Sequence, residues 1–393
     1  MSYRDDDYYG YEDDRYYDDN SDGKEKKRGL SSNAKWGIAL IIELIVITLL
    51  VLALVKSYIH NKYELLDYHD LSNKDLSIND GINEESMKGY KNIALFGVDA
   101  RDSSLGAGNR SDAMMVASIN NETGEIKIAS VYRDTLLEIP DPEGAFTSKI
   151  NAAYAYGGPE MAIKALNSNL DLNITDYVTV NWEGLTRAID SIGGVEISVE
   201  ENELDMLNAC LTEQIRATGI YSEGVFETGM ITLNGAQATA YSRIRSTDQG
   251  DITRTERQRE VISAMLSKLK NSDLSTIDRI IDEIFPYIST SISEDDMYSL
   301  ASKVFSYKMD QTVGFPFQFQ YYGSETKGSC IAPEDLTGNV SALHRYLFGV
   351  TDYTPTQNVQ RISNDLSNET GFFSNGTVKI PGETDNSSNE TGE

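Results

Sequence analysis

Residues 92 to 98 read NIALFGV, a short apolar run bounded by Gly and Asp, the pattern of a buried strand. Immediately downstream, the apolar segments 114–119 and 126–131 flank NNETG at 120–124, which predicts a β-hairpin beside that strand. Beyond the hairpin the pattern alternates. A helix is expected near residues 159–170, a strand at 177–181 (YVTVN), a helix through LTRAIDSI and a strand at 195–199 (VEISV) after Gly193 and Gly194. Helices interleaved with short apolar strands predict an α/β (α+β) domain, a central mixed β-sheet flanked by helices.

Outside that domain the composition changes. Residues 1–35 form an acidic tail, with nine Asp or Glu and six Tyr in the first 23 positions and no apolar periodicity, and are expected to be disordered. Residues 36–55, WGIALIIELIVITLLVLALV, have the length and apolarity of one transmembrane helix, interrupted by Glu43. Lys24, Lys26, Lys27, Arg28 and Lys35 precede this span, and only Lys56 and Lys62 follow closely, which predicts a single-pass cell-membrane protein with its N-terminus cytoplasmic. Residues 56–88 are then an extracellular stalk, 89–365 the extracellular domain, and 366–393 a disordered, polar C-terminal tail.

Charge limits what the domain binds. A formal net charge of −28 argues against nucleic acid as a partner, because phosphate contacts along a duplex need a basic surface. With three His and two Cys in the chain, no zinc-type cluster is formed. Cys210 and Cys330 both fall in the exported part, where disulfides persist, and an intrachain Cys210–Cys330 bridge is the expectation.

Against this acidic background, YSRIRSTDQGDITRTERQRE (241–260) holds five arginines. Between Asp99 and Glu260 there are ten Arg and three Lys, a bias toward planar, bidentate recognition of carboxylate or phosphate. Arg243 and Arg245 alternate by two, as on one face of a strand. Helical spacing back from Val261, Ile262, Met265 and Leu269 puts Arg254, Arg257 and Gln258 on the buried face of a helix. Buried guanidinium groups must meet carboxylates or a bound anion. Two readings remain: an Arg–Asp network that ties elements together, or a site for a spread negative charge. GVDARDSSLGAGNRSD (97–112) and VYRDT (131–135) add Asp99, Arg110, Asp112 and Arg133. Two loop-borne carboxylates, Asp99 and Asp112, suit Mg²⁺ or Mn²⁺, and with the arginines they make the equipment of phosphoryl transfer.

The segments GVDARDSSLGAGNRSDAMMVASI, VYRDTLLEIP, KINAAYAYGG, DSIGGVEISV and LNGAQATAYSRIRSTDQGDITRTERQREVI, in this order, resemble the consecutive motifs of the LytR-CpsA-Psr family over about residues 91 to 270. The resemblance implies a membrane-anchored, outward-facing phosphotransferase that moves an anionic glycopolymer from a polyprenyl-pyrophosphate carrier to a peptidoglycan acceptor. It implies Asp99 and Asp112 as Mg²⁺ ligands and Arg110, Arg133, Arg243, Arg245, Arg254 and Gln258 as the pyrophosphate-binding set, with Arg133, Asp112 and Arg245 closest to catalysis. Lys149 and Asn151 match a motif of architectural role. Where the family often has Pro before the Arg–Asp pair, Tyr132 stands. A prenyl tunnel is also implied, with Ala162, Ile163, Leu166, Leu185, Ile189, Ile262 and Leu266 as its candidate lining. The competing readings are a polyprenyl-pyrophosphate hydrolase, with water as nucleophile in the same pocket, and a non-enzymatic cell-envelope regulator, since older usage for the family speaks of transcriptional attenuation.

Overall fold

A computed structural model describes residues 50, 53–100, 105–245, 251–270, 272–373 and 377–381. Residues 1–35 and nearly all of the 36–55 span lie outside this set, and among the described residues no helix is long and apolar enough to cross a membrane. The chain divides into a unit ending at Val55 and a unit beginning at Lys56, and every element named below lies in the second.

The strands are β1 (Asp67–Tyr68), β2 (Tyr90–Val98), β3 (Ser111–Asn120), β4 (Glu125–Val131), β5 (Leu136–Ile139), β6 (Phe146–Lys149), β7 (Asp176–Asn181), β8 (Val195–Val199), β9 (Gly229–Leu233), β10 (Ile288–Thr290), β11 (Lys308–Phe315), β12 (Phe319–Ser324) and β13 (Gly328–Pro333). The α-helices are α1 (Glu84–Met87), α2 (Asn151–Leu170), α3 (Trp182–Ser191), α4 (Leu204–Thr218), α5 (Gly235–Tyr241), α6 (Asp251–Lys270), α7 (Leu274–Ile284), α8 (Glu294–Ser302), α9 (Leu336–Phe348) and α10 (Gln357–Thr370).

Seven strands form a mixed sheet in the order β1-β10-β7-β2-β3-β4-β11. The β2–β3–β4 meander is antiparallel, and β7 and β11 join it in parallel on either side. Successive side chains of β3 point to opposite faces and both faces are covered. Met114 and Val116 enter the main core with α2, α9 and α10, whereas Met115 and Ala117 pack with Ile128 and Ile262 of α6 on the other side. A second core forms where α3 to α7 close over the β8–β9 ribbon. Gly235 makes that closure tight: a Cβ there would lie 2.0 Å from the Thr186 carbonyl oxygen, so α5 and α3 approach backbone to backbone only because the side chain is absent.

Several expectations need correction. Residues 56–88 are not a free stalk, because β1 pairs with β10 and Leu66, Leu71, Leu76, Ile82 and Met87 are buried. The C-terminal boundary at 366 falls inside α10, which runs to Thr370, and Val378 beyond it is buried. The polar composition concealed both segments, since only a few apolar residues in each meet the body of the domain. The helix expected near 159–170 begins at Asn151. It kinks at Gly157 and at Gly158, whose φ of 65° only glycine adopts readily, before Pro159 restarts it. Arg243 and Arg245 lie on no strand, since α5 ends at Tyr241 and a turn follows.

Cys210 and Cys330 are both free thiols. Cys210 sits on α4 against the second core, while Cys330 sits on β13 in the main core, so each thiol packs into a different apolar cluster. Burial pushes both thiols up from their ordinary range. The candidate tunnel residues are likewise dispersed. Ala162, Ile163 and Leu166 are sealed in the main core, Leu185 and Ile189 belong to the second, Ile262 packs on the other sheet face and Leu266 is exposed.

His344 of α9 is fully buried, stacked on Tyr353 at 3.6 Å, and its Nε2–H donates to the Leu170 carbonyl at 3.0 Å. Burial lowers its pKa to about 4, so it folds as the neutral ring. Because the folded value lies below the unfolded one, the stability is complete above about pH 6.5 and is lost as pH falls toward 4, by about 3 kcal/mol at most. Denaturant titrations across that window are expected to show this slope in the native protein, and a His344→Phe variant is expected to flatten it.

Candidate functional site

The site forms at the end of the β2–β3 pair. Gly97 pairs with Ala113 and Val98 with Ser111, which leaves Asp112 as an extra residue, a β-bulge. A bulge re-aims the side chain it carries. Asp112 is mostly buried, and its Oδ1 accepts from Nη1 of Arg133, which follows the end of β4. From α6, Arg254 Nη2 donates to the Asp112 carbonyl oxygen at 3.3 Å and its Nη1 lies 3.9 Å from Oδ1, while Gln258 Nε2 reaches the same carbonyl at 3.5 Å. Arg254 and Gln258 are 2% and 5% exposed, as the helical spacing requires of an inward face.

The backbone around Arg133 is held from several sides. Tyr132 N–H donates to the Phe315 carbonyl at 2.9 Å, extending the β4–β11 ladder by a bond that a proline could not make. The Tyr132 ring packs with Ile252 at the start of α6 and with Ile331 and Phe319. Asn151 N–H donates to the Arg133 carbonyl at 3.1 Å, and Lys149 Nζ pairs with Asp134 at 3.2 Å. Thus Lys149 and Asn151 act through the backbone and charges next to Arg133.

The remaining sequence candidates fall elsewhere. Asp99 follows β2 directly and is exposed; it lines a cavity of about 160 Å³ with Trp182 and Tyr287. Arg243 Nη1 donates to Gln214 Oε1 at 3.0 Å, and its guanidinium lies 5.6 Å from the Trp182 ring centre. Arg110, just before β3, and Arg245 are exposed, and neither is brought against Asp112 among the described residues. Arg257 shares the buried face of α6, but Glu203 takes up its charge at 2.7 Å and the Ile244 carbonyl accepts from it at 3.2 Å. That arginine is the tying network, one of the two readings the sequence left open.

Sequence reasoning missed Trp182, Gln214 and Glu203. Gln214 carried a signal, since it continues the apolar spacing Leu207, Leu211 on α4 and is fully buried. Trp182 and Glu203 carried none, because their partners are distant in sequence. Among the described residues no three His, Cys, Asp or Glu side chains gather as a metal cluster. Carboxylates are the hard oxygen donors that Mg²⁺ takes; of the two candidates Asp99 is exposed, and the Oδ1 of Asp112 is taken by Arg133.

A mixed sheet covered on both faces, with guanidinium groups converging on a bulged aspartate at one strand end, defines an α+β domain equipped for an anion. The chain belongs to the LytR_cpsA_psr family, whose model matches residues 55–330. It is 36% identical over 217 residues to "Polyisoprenyl-teichoic acid--peptidoglycan teichoic acid transferase TagU" of Oceanobacillus iheyensis, an alignment covering 53% of this chain and 61% of that relative. It is 32% identical over 232 residues to the protein of the same name from Enterococcus faecalis, covering 57% of this chain and 70% of that one. The crystal structure of protein gbs0355 from Streptococcus agalactiae superimposes with a TM-score of 0.57 at 26% identity, covering 72% of this chain and 93% of that one.

Proposed function

We propose that this protein is a membrane-anchored, outward-facing phosphotransferase that moves an anionic glycopolymer from a polyprenyl-pyrophosphate carrier to peptidoglycan. The reading is carried by the convergence of Arg133, Arg254 and Gln258 on bulged Asp112, together with the names of the relatives. Arg133 and Arg254, supported by Arg243, Arg110 and Arg245, grip the pyrophosphate and stabilise the charge that develops during transfer. A hydroxyl of the acceptor attacks the phosphorus nearest the polymer. The bond from that phosphorus to the bridging oxygen breaks, polyprenyl phosphate leaves with the bonding pair, and the hydroxyl proton passes to a carboxylate of the site. Mg²⁺, or Mn²⁺, held by Asp99 and Asp112 would supply further charge neutralisation at the phosphate oxygens.

The test is reconstitution with a glycopolymer on a polyprenyl pyrophosphate, with and without peptidoglycan. Polymer joined to peptidoglycan and release of polyprenyl phosphate only when acceptor is present are the expected results. Release at the same rate without acceptor identifies a hydrolase instead, and no release under either condition leaves the regulator reading. Replacing Asp99 by Asn is expected to raise the Mg²⁺ concentration needed for half-maximal transfer about tenfold, checked by metal titration of activity and of pyrophosphate binding.

A further inference from the structure

The cavity of about 160 Å³ is bounded by Asp99, Trp182, Thr218 and Tyr287 among others. Trp182 is 6% exposed, yet its indole Nε1 is buried with no hydrogen-bond acceptor among the described residues. A buried donor left unsatisfied is costly and calls for an explanation, and a ligand oxygen is the partner the fold itself does not supply. Arg243 covers one face of the Trp182 ring and Arg187 one face of Tyr287, at 5.6 and 5.3 Å, so guanidinium groups hold both rings in place.

Among the described residues that border the cavity none is Lys or Arg, so the wall itself offers an anion no guanidinium or ammonium partner. Asp99 presents a carboxylate, and the charge of neighbouring Glu183 is already taken by Arg187 at 2.9 Å. An indole N–H donor, a carboxylate acceptor and aromatic surface suit a neutral, hydroxyl-rich ring, while the Thr218 hydroxyl is taken by the Gln214 carbonyl at 2.9 Å and the Ile220 N–H at 3.3 Å. We propose that this cavity is the acceptor subsite, binding a saccharide unit of peptidoglycan with Trp182 Nε1 donating to a sugar oxygen and Asp99 accepting from a sugar hydroxyl. The inference rests on the transfer reading above. Trp182 then touches both: Arg243, a member of the proposed pyrophosphate set, lies over its ring, and the cavity takes the nucleophile's sugar.

Trp36 and Trp182 are the two tryptophans of the chain, so Trp36→Phe leaves Trp182 as the sole indole reporter. In detergent-solubilised full chain carrying that change, the peptidoglycan disaccharide is expected to alter tryptophan emission saturably, and Thr218→Tyr, which fills the cavity, is expected to abolish the response. In the transfer assay, Trp182→Phe keeps an aromatic ring and removes the N–H donor together with the five-membered ring that carries it. It is expected to raise the acceptor KM about tenfold, as for one lost hydrogen bond, with the donor-lipid KM unchanged. Unchanged emission up to millimolar disaccharide, a response that survives Thr218→Tyr, or a Trp182→Phe effect confined to the donor KM would overturn the subsite. Saturable sugar binding by a protein that transfers no polymer would sink the transfer reading and leave the subsite standing.

Discussion

Arg133→Ala is expected to lower glycopolymer transfer about 10³-fold, the scale of removing one preorganised charge that stabilises a transferring phosphoryl group. The reason is positional. Arg133 is anchored through its carbonyl to Asn151 N–H and follows a strand pinned to β11, so its guanidinium meets Asp112 without having to be ordered during reaction. The loss should appear in kcat more than in the donor KM, because on the proposed reading Arg254 and Gln258 would still bind the ground-state pyrophosphate. A thermal melt close to that of the unaltered protein separates this effect from misfolding. Retention of full transfer by a folded Arg133→Ala protein would remove the proposed grip on the pyrophosphate.

Glu203→Ala carries the second large effect, on stability. Glu203 and Arg257 are each about 5% exposed, and Glu203 Oε1 accepts from both Nε and Nη2 of Arg257 at 2.8 and 2.7 Å. Removing the acid strands a buried guanidinium, a change that costs about 3–5 kcal/mol. A shift of that size in the denaturation midpoint is expected. Arg257→Met with Glu203→Leu, which removes both charges and keeps apolar bulk, is expected to recover most of it. A Glu203→Ala midpoint within about 0.5 kcal/mol of the unaltered protein would show that water or another group takes up the charge.

The two buried arginines of α6, Arg254 and Arg257, show how far residue spacing reaches. The α6 periodicity placed Arg254, Arg257 and Gln258 on one buried face, and the structure has all three there. Spacing cannot separate them by role, because role depends on the partner. Arg254 meets the bulge at residue 112 and Arg257 meets an acid 54 positions away. Likewise NIALFGV, the NNETG hairpin and YVTVN were legible as strands, since burial on both sheet faces leaves nearly continuous apolar runs. Their order in the sheet was not legible, nor was the recruitment of β1 and β10, two short strands whose polar sequence carries no pattern. The expected Cys210–Cys330 bridge failed for the same reason, because an even count of cysteines says nothing about the separation a bridge needs.

By itself the sequence determined the alternating α and β elements, the apolar span at 36–55 and the concentration of guanidinium groups in an acidic chain, because these depend on local periodicity and composition. The tertiary structure alone decided which arginines gather. A one-residue bulge at Asp112 and the landing of α6 beside it draw Arg133, Arg254 and Gln258 to one point, while Glu203 claims Arg257. Convergence of this kind is set by register and packing between segments far apart in the chain, and no local pattern of residues encodes it.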